Sequence, residues 1–140
     1  MTATRIDAAP REGVAYVFPL PYAPRAVSAV RRRVCAVLAT LGVPTDAAEN
    51  VLVVVSELLT NALVHALPPA TLRLTQVLVD GRGAVRVEVT DNGPAKGAPD
   101  RPVDPDEHGR GLGIVTTLSA RCGVQVYRGG TCRWAEVPAG

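Results

Sequence analysis

VLVVVSELLTNALVHA, residues Val51 to Ala66, decides how the rest of the chain is read. Glu57, Asn61 and His65 recur in it every fourth residue, the spacing of neighbours on a helix. Leu52, Val55, Leu58, Leu59, Ala62, Leu63 and Ala66 would leave that helix apolar nearly all round. Such a helix belongs in a core. A carboxylate carried into a core costs several kcal/mol unless something pairs with it. The polar stripe therefore requires a partner.

Outward from this helix, the neighbouring segments punctuate themselves. Thr45 or Asp46 suits its N-cap, and Leu67-Pro68-Pro69 ends it. Upstream, Val27, Val30, Val34, Val37, Leu38 and Leu41 form a helical stripe over Ala26 to Leu41, stopped by Gly42 and Pro44. Val14 to Leu20 reads as a short strand ended by prolines. Downstream, TLRLTQVLVD and GAVRVEVTD alternate apolar with polar residues around Asp80-Gly81, a hairpin signal. Asn92 to Gly109 has no periodicity and is a loop. Gly111 to Gly123 reads as a helix with Gly123 past its end, and the remaining chain as a hairpin turning at Gly129-Gly130.

The order β-α-α-β-β-loop-α-β-β predicts an α+β two-layer sandwich. Helices cover one face of a mixed, mostly antiparallel sheet. Residues 1–12 are expected to form a flexible N-terminus and 13–140 a single domain, with no repeat and no linker.

Composition narrows the function classes. The 140 residues are 47% hydrophobic and 20% charged, which suits one globular domain rather than a disordered chain. A formal net charge of +2 gives no pull toward nucleic acid or a membrane surface. No apolar run approaches the roughly 20 residues of a membrane span, and no signal-peptide core precedes the domain, so a cytoplasmic location is expected. Cys35, Cys122 and Cys132 match no zinc or redox spacing and read as small buried hydrophobes. Arg31 to Arg33 suit a solvated face and a partner-docking patch equally.

Four constellations can carry chemistry. Glu57 and Asn61 share one helix face. Asp91-Asn92-Gly93 ends a strand, where the aspartate can accept from a ligand donor and the glycine lets a ligand lie against the backbone. The proline-rich stretch after it, Pro94 to Arg110, is expected to be a mobile lid. GRGLG, Gly109 to Gly113, opens a helix, where backbone N–H groups and the helix dipole favour phosphate. It follows no strand and lacks Lys-Ser/Thr, which excludes both a Rossmann fingerprint and a P-loop. Thr131 enters the last strand.

In this order, E-x-x-x-N, D-x-G, lid, G-x-G and a late strand threonine resemble the GHKL (histidine-kinase-like) ATPase superfamily and its Bergerat ATP-binding fold. The resemblance runs from about Tyr16 to Val137. It implies that Asn61 holds Mg²⁺ on the phosphates of ATP and that Asp91 takes the adenine amino group. It further implies that Gly93, Gly111, Leu112 and Gly113 line the nucleotide pocket, with Arg110 at the γ-phosphate and Thr131 supporting adenine through water. Family patterns often carry a lysine before that threonine, where this chain has Gly130.

Histidine kinases add a dimerisation helix and a phenylalanine-bearing lid segment, and the only phenylalanine here is Phe18. Topoisomerase, mismatch-repair and chaperone members need far longer chains. ELLTNALVHA and the closing WAEV look like the anti-sigma-factor serine/threonine kinases of bacterial partner switching, the RsbW-like branch. That branch implies a homodimer that sequesters a sigma factor and phosphorylates a STAS-type antagonist, with Glu57 as general base and His65 a hydrogen-bonder at the pocket rim. The competing reading is a nucleotide-dependent binding module without phosphotransfer. A nucleic-acid regulator built on Arg31 to Arg33 is disfavoured by the few aromatics and the low charge.

Overall fold

A computed structural model describes residues 14–23, 25–93 and 113–140. The elements run β1 (Tyr16–Leu20), α1 (Ala26–Thr40), α2 (Thr45–His65), β2 (Ala70–Val79), β3 (Arg82–Asp91), β4 (Arg121–Tyr127) and β5 (Gly130–Pro138). Residues 113–118 are also helical. The strands form one sheet in the order β1-β2-β3-β5-β4. Every pairing is antiparallel, so the expected mixed sheet is corrected to a fully antiparallel one among the described residues. The α+β sandwich stands.

The helix boundaries follow from local chemistry. Gly42 takes a left-handed φ of 73° past the end of α1, its N–H donates to Ala39 O, and Val43 N–H donates to Leu38 O. This pair of bonds satisfies two terminal carbonyls as a Schellman cap does. Helix α2 begins one residue earlier than a Thr45 or Asp46 cap requires. Pro44 holds the cap position with φ −57° and ψ 149°, and no side chain caps the helix. The fixed proline φ already points the chain into the first turn, so Thr45 is helical and Asp46 serves only to complement the dipole.

Val51, Val54, Val55, Leu58, Leu59 and Ala62 of α2 are buried. They meet Val30, Val34 and Leu38 of α1 and one face of the sheet, including Leu72, Leu74, Val85, Val87, Val89, Ala135 and Val137. Each fully buried Leu or Val contributes about 1.5–3 kcal/mol. The expectation of a helix buried all round is corrected: Val53 and Val64 are 37% and 62% exposed. A second correction concerns the membrane. By length and composition α2 does qualify as a span, the single such helix among the described residues, yet its buried stripe packs on the sheet.

The β2–β3 turn is Asp80-Gly81 as expected, both at positive φ. The β4–β5 turn falls one residue before the predicted place, at Arg128-Gly129, because Tyr127 pairs with Gly130. The predicted helix over Gly111 to Gly123 is also shorter. The chain is in strand from Arg121, paired with Glu136, and Gly123 lies flat against Trp134. A Cβ on Gly123 would meet the indole at 3.0 Å, so the glycine is used for packing rather than as a helix stop.

The outer sheet face is tied together by charge. Arg73 pairs with Glu88 (3.1 Å), Arg86 with both Glu88 (2.9 Å) and Glu136 (2.6 Å), and Arg121 with Glu136 (2.7 Å). Arg86 also stacks 4.2 Å from the Trp134 ring centroid. Of the cysteines only Cys132 is buried. Cys35 and Cys122 are exposed, which corrects their reading as core residues. Arg31 to Arg33 are exposed, and Arg33 lies over the Phe18 ring.

Candidate functional site

Period-two alternation decides which strand residues reach the helix-covered face. On β3 these are Val85, Val87, Val89 and, last, Asp91. The register sets Thr131 of β5 directly opposite Asp91, and paired residues share a face. Two residues singled out 40 positions apart in the sequence are thus cross-strand neighbours at one end of the sheet.

The Asp91 carboxylate is buried, with 5% of the residue exposed. Its Oδ1 accepts the Gly93 N–H at 2.8 Å. Burial pushes the carboxyl above its ordinary range, against the pull of the Gly93 N–H and the charge of Arg133. Among the described residues Oδ2 accepts no hydrogen bond, which leaves it for a ligand donor.

Gly93 has φ 96°, a conformation that disfavours any side chain. That backbone lets the segment fold back on the corner after α2. Leu67 N–H donates to Gly93 O (2.8 Å), Asn92 N–H to Leu67 O (3.1 Å), and Asn92 Nδ2 to Pro68 O (2.9 Å). The Tyr22 hydroxyl donates to Ala66 O at the end of α2. The aspartate and the polar helix are therefore held in one frame.

Glu57 and Asn61 lie one turn apart on α2, both half-buried, and neither side chain has a hydrogen-bond partner among the described residues. On a helix turning about 100° per residue they border the buried Val54–Leu58 row. They lie on the flank away from the partly buried Leu52 and Leu63. His65 is exposed rather than part of a buried stripe.

These oxygens suit Mg²⁺. The ion takes only one or two protein oxygens, filling its shell with water and phosphate. A half-buried amide oxygen without a partner beside a carboxylate meets that need. No group of three or more His, Cys, Asp or Glu forms an all-protein metal cage among the described residues.

Gly113 begins the described part of the 113–118 helix and is exposed, while Val115 anchors that helix in the core. Arg110, Gly111, Leu112 and the expected lid, Pro94 to Arg110, lie outside the described residues.

Sequence reasoning missed Arg133 here and took Gly130 only as a turn residue and a departure from a family lysine. Arg133 reaches the same face as Thr131 because it is two positions on, a signal the alternation contained. Gly130 approaches the Asp91 backbone so closely that a Cβ would stand 2.7 Å from the Asp91 carbonyl oxygen.

The profile of the histidine kinase-like ATPase domain matches residues 20–136. The fold is similar to the RsbU and RsbW domains of a Mycobacterium tuberculosis protein, at TM-score 0.63 and 19% identity over 89% of this chain and 32% of that one. It is also similar to the histidine kinase domain of a blue-light activated histidine kinase from Erythrobacter litoralis. There the TM-score is 0.51 and the identity 25%, over 81% of this chain and 65% of that one. The chain thus spans under two thirds of the length of either. No curated protein matches it.

Proposed function

We propose that this chain, which belongs to the histidine kinase-like ATPase domain family, is an anti-sigma-factor-type serine/threonine kinase. It binds Mg-ATP, sequesters a sigma factor, and phosphorylates a STAS-type antagonist. The family supports ATP binding and a kinase-like regulatory role. The pairing of Asp91 with Thr131, beside Gly93, carries the reading, since it provides a buried acceptor at the end where a base can enter.

Asp91 Oδ2 accepts the adenine amino group, and Thr131 supports the ring through water. The chain around Arg110, Gly111, Leu112 and Gly113 would receive the phosphates, and Asn61 Oδ1 would hold a magnesium ion, which would supply neutralisation of charge on the transferring phosphoryl group. Glu57 takes the proton of the antagonist's serine or threonine hydroxyl. The hydroxyl oxygen bonds to the γ-phosphorus as the bond to the ADP oxygen breaks, leaving a phosphoprotein, ADP and a protonated Glu57. A positioned base contributes about 10²–10⁴-fold. The resemblance carries a cytoplasmic homodimer with it, and sedimentation measures that assembly.

Glu57→Gln tests the chemistry. The side chain keeps its shape, so ATP still binds, while single-turnover transfer to a copurifying antagonist falls about 10²–10⁴-fold. Transfer at the wild-type rate refutes Glu57 as the base. A wild type that binds ATP and its partner but transfers no phosphate identifies a nucleotide-dependent binding module instead.

A further inference from the structure

Arg133 has no part in the chemistry above. It is half-buried on the helix-side face of β5, opposite Val89 of β3 and Val124 of β4. Its guanidinium makes no hydrogen bond or ion pair among the described residues. The pair next along the same face is Asp91 with Thr131. Diagonal cross-strand neighbours are about 7–8 Å apart, within reach of a long side chain. A partly desolvated cation thus lies beside a buried carboxylate that already has one oxygen committed.

We propose that Arg133 is a positioning residue for base specificity. By holding Asp91 in its anionic form it makes the site select a 6-amino purine over a 6-oxo purine. An ionised carboxylate only accepts hydrogen bonds, whereas a protonated one also donates. The anion therefore fits the amino group of adenine and is left facing an acceptor when hypoxanthine enters. The protonated acid reverses that preference. Burial acts toward the protonated form, and the Arg133 charge acts against it.

Among the described residues, other charges around Asp91 are few. Helix α2 carries Glu57 and His65, while Arg73 and Glu88 lie on the opposite sheet face. Among the described residues, Arg133 is the charge that acts on the carboxyl, more weakly than burial and the Gly93 N–H do. This inference rests on Asp91 reading the base.

The test is calorimetric titration of ATP and ITP, with magnesium, from pH 8 down to the lowest pH at which the full chain stays folded, comparing wild type with Arg133→Gln, Arg133→Met and Arg133→Lys. Using the ratio of the two affinities cancels effects on the shared triphosphate. ATP preference falls as pH drops through the Asp91 titration. The midpoint lies about half to one pH unit higher in the Gln and Met variants, and Lys restores it. At pH values below both midpoints, the ATP:ITP ratio of the neutral variants is then about 3- to 10-fold lower than that of the wild type. Either neutral variant suffices if the other does not fold. An unchanged midpoint in a folded neutral variant overturns the proposal. Asp91→Ala separates the two failures: wild-type ATP affinity in that variant overturns the base-reading role itself.

Discussion

Replacing Gly130 by alanine should damage the site without unfolding the domain. A Cβ there would stand 2.7 Å from the Asp91 carbonyl oxygen, whereas ordinary contact begins near 3.4 Å. Strands β3 and β5 must separate at the Asp91–Thr131 pair by about 0.3–0.7 Å, and the obstructing atom is backbone, which cannot rotate away. Overpacking of this kind costs about 1–3 kcal/mol. For a domain of this size that is a fall in Tm of about 3–5 °C per kcal/mol. The same displacement moves the Asp91 acceptor relative to the base. Losing about 1–2 kcal/mol of that contact weakens ATP binding about 5- to 30-fold.

Gly129→Ala is the control. Gly129 has φ 82°, so alanine strains the turn by about 1–2 kcal/mol, but its Cβ meets nothing within 4 Å. Both variants should melt earlier, and only Gly130→Ala should lose affinity. Thermal melts and calorimetric titration of Mg-ATP give the two readings. Equal ATP affinity in Gly130→Ala and wild type would refute the close-approach argument.

Two further outcomes follow from the buried carboxylates. Burial raises the Asp91 titration, so the ionised group costs apo stability above its folded pKa and its penalty fades as pH falls through that value. Asp91→Asn, which keeps an acceptor for Gly93 N–H, should therefore leave the apo Tm unchanged or raised at pH 7 while removing ATP-dependent stabilisation. Burial pushes Glu136 upward too, but hydrogen bonds from Arg121 and Arg86 outweigh it and hold the carboxyl below its ordinary range. Its stabilisation is then complete above the ordinary glutamate pKa and is lost as pH falls through the lower folded value. Glu136→Gln should cost about 1.5–3 kcal/mol at pH 7 and less in acid, by urea melts at both pH values.

The legible parts of this fold were those with strong local signals. Asp80-Gly81 between two alternating runs could only be a tight hairpin, and Gly42 with Pro44 left α1 one way to stop. Gly123 misled because glycine is both a helix stop and the residue that lets an indole lie on a strand. Only the long-range pairing with Trp134 decides between them. The single-residue error at the last turn has the same origin, since Arg128 carries no turn signal and the register with β5 sets the loop.

Asp91, Gly93 and Thr131, which the structure brings together, stood out in the sequence because their types are restricted by chemistry. Arg133 did not, because an arginine in a strand is ordinary until the register shows which face it occupies. The half-exposure of the Glu57–Asn61 stripe was likewise beyond the pattern. Apolar residues at nearly every position of α2 do not reveal that Val53 and Val64 face outward.

The central claim is that a nucleotide base is read by Asp91 in the frame made by β3, β5 and the corner after α2. Calorimetric titration of Mg-ATP into wild type and Asp91→Ala, with melts confirming that both are folded, tests it most directly. Saturable one-to-one binding by the wild type and none detectable in Asp91→Ala is the predicted result. Equal affinities in the two folded proteins, or no binding by the wild type, would contradict it.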